Sequence, residues 1–140
     1  MDKKVKPPLA RNLDILIADD DFTFLNLAES ALAPNAARID MAHDGAHALG
    51  NLLDQTYDLA VLDLSMPQND GFRLLSYIRC TSGLSDLPVV VITSRDDEEA
   101  AKEVNRLGAD LMLVKPVDWT LLPSQISDVV RARNEGTEAA

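Results

Sequence analysis

The chain has 140 residues, 46% of them hydrophobic and 26% charged, the size and composition of one globular domain rather than a disordered segment. It carries 23 acidic against 13 basic residues, a net charge of −10, and such a surface is repelled by nucleic acid and by anionic membranes. The longest apolar run, LPVVVI at 87–92, falls far short of the roughly 20 residues a membrane-spanning helix needs, and a single cysteine, Cys80, excludes an internal disulfide.

Residues 1–12, MDKKVKPPLARN, hold clustered bases and Pro7-Pro8 with no apolar segment behind them. They read as a flexible leader and not as a secretory signal, so a soluble, cytoplasmic protein is expected. The domain proper is expected over 13–133. Its first strand is LDILIA (13–18), followed by Asp19, Asp20 and Asp21. Asp21 directly precedes FTFLNLAESAL, whose Leu25, Ala28 and Leu32 share a helical stripe, and reads as its cap. Pro34 stops that helix.

The second strand, RIDMA (38–42), carries Arg38 and Asp40 and suits a sheet edge. His43 and His47 follow it as surface residues. Ala46, Leu49 and Leu53 then form the next stripe. A third strand, DLAVLD (58–63), ends on a carboxylate, Asp63, and runs into SMPQNDG. A helix over 72–80, with Leu75 and Ile78 inward, would leave Cys80 as a small buried or half-buried thiol. The fourth strand, LPVVVIT (87–93), ends at Thr93 and Ser94. Ala100, Val104 and Leu107 mark a helix that stops at Gly108, and DLMLV (110–114) runs into Lys115-Pro116. The last helix carries Leu122, Ile126, Val129 and Val130. Thr120 is favoured over Asp118 as its cap, because the later start places Pro123 in the first turn, where a missing N–H does no harm. Residues 134–140 form a polar tail expected to fray.

Five strands alternating with five helices imply a parallel sheet covered on both faces, an α/β doubly wound (βα)5 fold. In such a sheet ligand sites lie beyond the carboxyl ends of the strands. With strand order 2-1-3-4-5, Asp19, Asp20 and Asp63 converge there, with Thr93 on one flank and Lys115 one strand further out. Taken singly, each aspartate reads as a helix cap, Thr93 or Ser94 as a solvated hydroxyl and Lys115 as a surface charge. Their occurrence together at one sheet end argues otherwise. Crowded carboxylates resist ionising unless a cation compensates them. An all-oxygen donor set suits Mg²⁺ or Mn²⁺, which keeps coordination open for a phosphate. The chemistry that fits is phosphoryl transfer onto a carboxylate, with Asp63 as nucleophile. Lys115, the Thr93 hydroxyl and the Ser94 amide would contact the phosphoryl oxygens.

The set ILIADDD, AVLDLSMPQNDG, VVVITS and LVKP resembles the receiver domain of two-component response regulators, chemotaxis-regulator-like, over about residues 13–133. The resemblance implies a flavodoxin-like fold and a phosphoacceptor at Asp63. It implies Mg²⁺ held by Asp20, Asp63 and the backbone carbonyl of Ser65, with Asp19 acting through water. It further implies phosphoryl transfer from a sensor histidine kinase or a phosphotransfer protein. The domain would then catalyse only its own phosphorylation and dephosphorylation, and would not be an enzyme acting on a separate substrate. Lys115–Pro116 is expected to be cis. Phosphorylation would draw Thr93 inward and change the affinity of the helix 4–strand 5–helix 5 face for a downstream protein, the domain being a monomer or weak homodimer. Two departures stand out: Met112 occupies a position often aromatic in the family, and Ser65 and Arg95 fill variable positions that tune the lifetime of the aspartyl phosphate.

Other classes fit less well. A receiver-like module used only for docking would show no Mg²⁺ dependence. A flavin-binding protein needs a hydroxyl- and glycine-rich loop after the first strand, where DDDF would repel a phosphate. A metal-dependent phosphatase would need paired aspartates that DLSM does not supply. Both a stand-alone receiver and a piece of a longer regulator fit this sequence.

Overall fold

The structure, a computed structural model, describes residues 9–139; residues 1–8 of the expected leader and Ala140 of the expected tail lie outside them. Five strands, β1 (Leu13–Ala18), β2 (Ala36–Ala42), β3 (Leu59–Leu62), β4 (Val89–Thr93) and β5 (Leu111–Val114), alternate with five helices. These are α1 (Phe22–Leu32), α2 (Gly45–Asp54), α3 (Asp70–Cys80), α4 (Glu98–Leu107) and α5 (Leu122–Ala139). All strand pairs are parallel, in the order β2-β1-β3-β4-β5. This is the doubly wound α/β fold expected from the alternation, and the flavodoxin-like one that the resemblance implies.

Period-two alternation along the central strands sends successive side chains to opposite faces. Ile15, Ile17, Val61, Val90 and Ile92 pack with Leu25, Ala28 and Leu32 of α1 and with Leu122, Ile126 and Val130 of α5. Leu16, Leu62 and Val91 pack on the other face with Ala48 and Leu52 of α2, Leu75 and Ile78 of α3, and Val104 of α4. The edge position of β2 explains its polar residues. Arg38 reaches the Thr56 carbonyl at 3.1 Å, and the Tyr57 hydroxyl donates to Asp40 at 2.6 Å.

Local chemistry sets the helix ends. The Asp21 carboxylate accepts from the amides of Thr23 and Phe24, Asp44 from His47 and Asp97 from Ala100, each relieving an unpartnered amide of a first turn. Gly108 closes α4 at φ 90°, a left-handed conformation that glycine adopts without strain. Lys115–Pro116 is cis.

Three readings of the sequence are corrected. The buried stripe of α2 is Gly45, Ala48 and Leu52, one residue out of phase with Ala46, Leu49 and Leu53; Ala46 is exposed and so is Leu53, at 66%. LGNLLD offers two apolar stripes, and the helix turns Ala48 and Leu52 into the core with Gly45 against Asp70. Cys80 is exposed, because Leu74, Leu75 and Ile78 set the inward face of α3 and its last residue points away. Helix α5 does start late, with Pro123 in its first turn, but Thr120 is not the cap. The Asp118 carboxylate accepts both the Thr120 amide, at 2.9 Å, and the Thr120 hydroxyl, at 2.6 Å. The backbone of α5 runs on through 134–139. At the other end, the Ala10 amide donates to Ser127 Oγ at 2.9 Å and its carbonyl accepts from Asn35 Nδ2 at 2.9 Å.

Candidate functional site

The parallel ladders continue one residue past their strands and hang the key side chains from the sheet. Asp19 N–H donates to the Ala42 carbonyl at 3.0 Å, Asp63 N–H to Ala18 at 3.0 Å and Lys115 N–H to Thr93 at 2.8 Å. Backbone hydrogen bonds therefore fix where each side chain departs. Carboxylate oxygens of Asp19, Asp20 and Asp63 lie within 4.8 Å of one another. Asp19 is 1% exposed and Asp63 3%, while Asp20 faces solvent.

The Lys115 ammonium donates to Asp19 Oδ2 at 2.7 Å and lies 3.5 Å from Asp63 Oδ2. Each buried carboxylate also accepts a local amide: Asp19 Oδ1 from Asp21 at 2.9 Å and Asp63 Oδ1 from Ser65 at 3.0 Å. Burial holds the Asp19 carboxyl above its ordinary range, against the hydrogen bonds from Lys115 and the Asp21 amide, and the neighbouring Asp63 pushes the same way. For Lys115, burial alone would lower the pKa, but Asp19 and then Asp63 more than offset it and hold the ammonium above its usual value. Three carboxylates facing one ammonium leave a surplus of negative charge. Together with an all-oxygen donor set, that suits a hard divalent cation.

On the β4 side Thr93 is fully buried. Its Oγ1 lies 3.3 Å from Ser65 Oγ and accepts the Arg95 amide at 3.3 Å. Ser94 is exposed beside it. The Arg95 guanidinium is directed away from the acids, to both oxygens of Asp97 at 3.0 and 2.8 Å. The loop after β3 is shaped by a 3-10 turn at Pro67–Asn69 with Gln68 at φ 64°. Gly71 closes it: a Cβ there would sit 2.1 Å from the Asp63 carbonyl oxygen and 2.6 Å from Leu64 Cα. Met112 is half-buried against the α2–α4 face. His43 and His47 are exposed, with their Nδ1 atoms 3.3 Å apart.

All the site residues singled out in the sequence thus stand at one end of the sheet. Two neighbours carry no sequence signal. Phe24 places its ring under Lys115, with 4.1 Å from Nζ to the ring centre. The Asp70 carboxylate accepts the Gly45 amide at 3.2 Å and so ties α3 to α2.

Fold and site together define a doubly wound α/β protein with a buried, lysine-paired acidic cluster at the carboxyl edge of its sheet. The family model for the response regulator receiver domain matches residues 15–127. The chain belongs to that family, the receiver domains of two-component systems. Among curated relatives, Response regulator MprA of Mycobacterium bovis is 35% identical over 126 residues, covering 90% of this chain and 54% of that protein. Transcriptional regulatory protein AfsQ1 of Streptomyces coelicolor is 33% identical, covering 90% of this chain and 55% of that one. The chain therefore spans about half the length of these relatives. A CheY-like receiver domain protein from Methanospirillum hungatei shares the fold with a TM-score of 0.81 at 21% identity, over 91% of this chain and 98% of that one. Among the described residues, no helix is long and apolar enough to cross a membrane.

Proposed function

We propose that Asp63 accepts a phosphoryl group from a phosphohistidine on a sensor histidine kinase or phosphotransfer protein. An Asp63 carboxylate oxygen attacks phosphorus, the phosphorus–nitrogen bond to the donor imidazole breaks with its electron pair returning to the ring, and an acyl phosphate results. The observation that carries this reading is the position of Asp63: 3% exposed at a strand end, in the acidic cluster and 3.5 Å from Lys115. Burying a carboxylate is costly, and placing this one at the open strand end beside Lys115 suits acceptance of an electrophile.

Asp19, Asp20, Asp63 and the backbone carbonyl of Ser65 would hold Mg²⁺ or Mn²⁺. When bound, the metal neutralises charge that develops on the transferring phosphoryl oxygens. Lys115 offers an ammonium to another of those oxygens, and the Thr93 hydroxyl and the Ser94 amide donate to the rest. Thr93 leaves its 3.3 Å contact with Ser65 to do so, and the segment after β4 follows. The affinity of the α4–β5–α5 face for a downstream protein changes with it.

Acetyl phosphate with Mg²⁺ should load wild-type protein with one phosphoryl group, seen as a mass increase lost on hydroxylamine treatment. Asp63→Asn should lower the loading rate by at least about a hundredfold. Equal loading of both proteins at the same residue would remove Asp63 from its role. Loading unaffected by chelator would remove the metal.

A further inference from the structure

The Lys115 ammonium is held from three sides. It donates to Asp19 Oδ2 at 2.7 Å, lies 3.5 Å from Asp63 Oδ2 and stands 4.1 Å from the centre of the Phe24 ring. Phe24 is 8% exposed, so this contact is partly desolvated and stronger than one at an open surface. Phe24 in turn meets Trp119, with ring centroids 5.3 Å apart and planes inclined by 46°. Trp119 lies between Asp118 and Thr120, in the turn that leads into α5.

We infer that Phe24 is a positioning residue for Lys115, and that the Phe24–Trp119 pair carries the charge state of the acidic site to the start of α5. The inference rests on the proposed phosphoacceptor role. The two carboxylates compete unequally for the ammonium, and Asp19, the nearer, would draw it off Asp63 if nothing opposed the pull. An aromatic face attracts the cation without formal negative charge, so it steadies Lys115 and adds no repulsion toward an incoming phosphoryl group. A further carboxylate in its place would also hold the ammonium but would repel an incoming phosphoryl group. An anionic group on Asp63 takes the ammonium from Asp19 and settles it closer over the ring, and Phe24 shifts against Trp119 as it follows. With methionine at 112, this pair gives the domain an aromatic relay in another place.

The test follows beryllofluoride binding in the presence of Mg²⁺ by ¹⁹F NMR, which does not depend on tryptophan, and in parallel the emission of Trp119, the chain's one tryptophan. In wild type the emission should shift in step with the bound fluoride signal. Phe24→Leu keeps apolar bulk but removes the ring face. It should raise the half-saturating beryllofluoride concentration about fivefold and lose most of the emission shift, and Phe24→Tyr should restore both. Mono-, di- and trifluorophenylalanine at position 24 drain the ring face while keeping its shape. They should weaken binding in graded steps even if Phe24→Leu folds poorly. Binding by Phe24→Leu equal to wild type, no grading on fluorination, or saturation without any emission change would overturn the inference and leave the phosphoacceptor reading standing. No bound fluoride signal in wild type would bring down both.

Discussion

Asp63 owes its position to its neighbours more than to its own chemistry: its amide is fixed to β1, one oxygen takes the Ser65 amide and Lys115 stands 3.5 Å from the other. Behind it the chain passes so close that only glycine fits at 71. Gly71→Ala would put a methyl group against backbone atoms at 2.1 and 2.6 Å, neither of which can rotate aside. It should destabilise the fold by about 3 kcal/mol, read from urea unfolding, and lower phosphoryl loading by displacing Asp63. Asp19 gives a test of sign. Its folded-state pKa lies above the ordinary 3.8, so in chelator the folded chain binds a proton at this group more readily than the unfolded one. The contribution to stability therefore grows as pH falls from the raised pKa toward 3.8, and is flat below that. Unfolding of wild type and Asp19→Asn between pH 7 and 4 should show the difference moving in favour of wild type as the solution becomes more acidic. Asp19, Asp63 and Lys115 were legible in the sequence because a parallel sheet brings every carboxyl end to one edge, even for partners 96 positions apart. Phe24 was not, because an aromatic residue on a helix reads as core and nothing local announces a lysine above it.

Strands and helices were legible wherever apolar spacing admitted one phase, as in α1, α4 and α5. In α2 it admitted two, and a tertiary contact decided between them. A Cβ on Gly45 would fall 2.4 Å from Asp70 Cγ, so the helix turns its smallest residue to α3. The end of the sheet away from the acids is tied by a device with no short-range signature. Arg79 of α3 donates to the carbonyls of Gly108 at 2.8 Å, Leu87 at 2.6 Å and Ser85 at 3.2 Å, and to Asp110 at 3.0 Å. Asp110 also accepts from the Val89 amide at 2.8 Å and from Arg133 of α5 at 2.7 Å. One guanidinium and one carboxylate thus join the entrances of β4 and β5 to three helices. Arg79→Leu leaves three carbonyls without their donor and Asp110 paired with Arg133 but not with α3, and should cost about 3 kcal/mol. Calorimetry should show a lower melting temperature, while phosphoryl loading at 15 °C stays close to wild type.

Across the whole molecule the net charge of −10 opposes compaction, with three carboxylates contributing most locally at the site. Sodium chloride should raise the melting temperature modestly by screening. Mg²⁺ at ten times its dissociation constant should add about 1.4 kcal/mol beyond sodium chloride of equal ionic strength, and Asp63→Asn should lose most of that increment. The two hydrogen bonds on Ala10 give the molecule a latch. Ser127 Oγ takes the Ala10 amide while donating to the Pro123 carbonyl inside α5, and Asn35, whose Nδ2 lies 3.5 Å from Ser127 Oγ, holds the Ala10 carbonyl. The peptide bond after Arg11, the next residue, is a trypsin site, and release of this latch should speed its cleavage. Scission there should therefore serve as a clock for motion of α5, slow while the helix keeps its seat and quicker where it loosens.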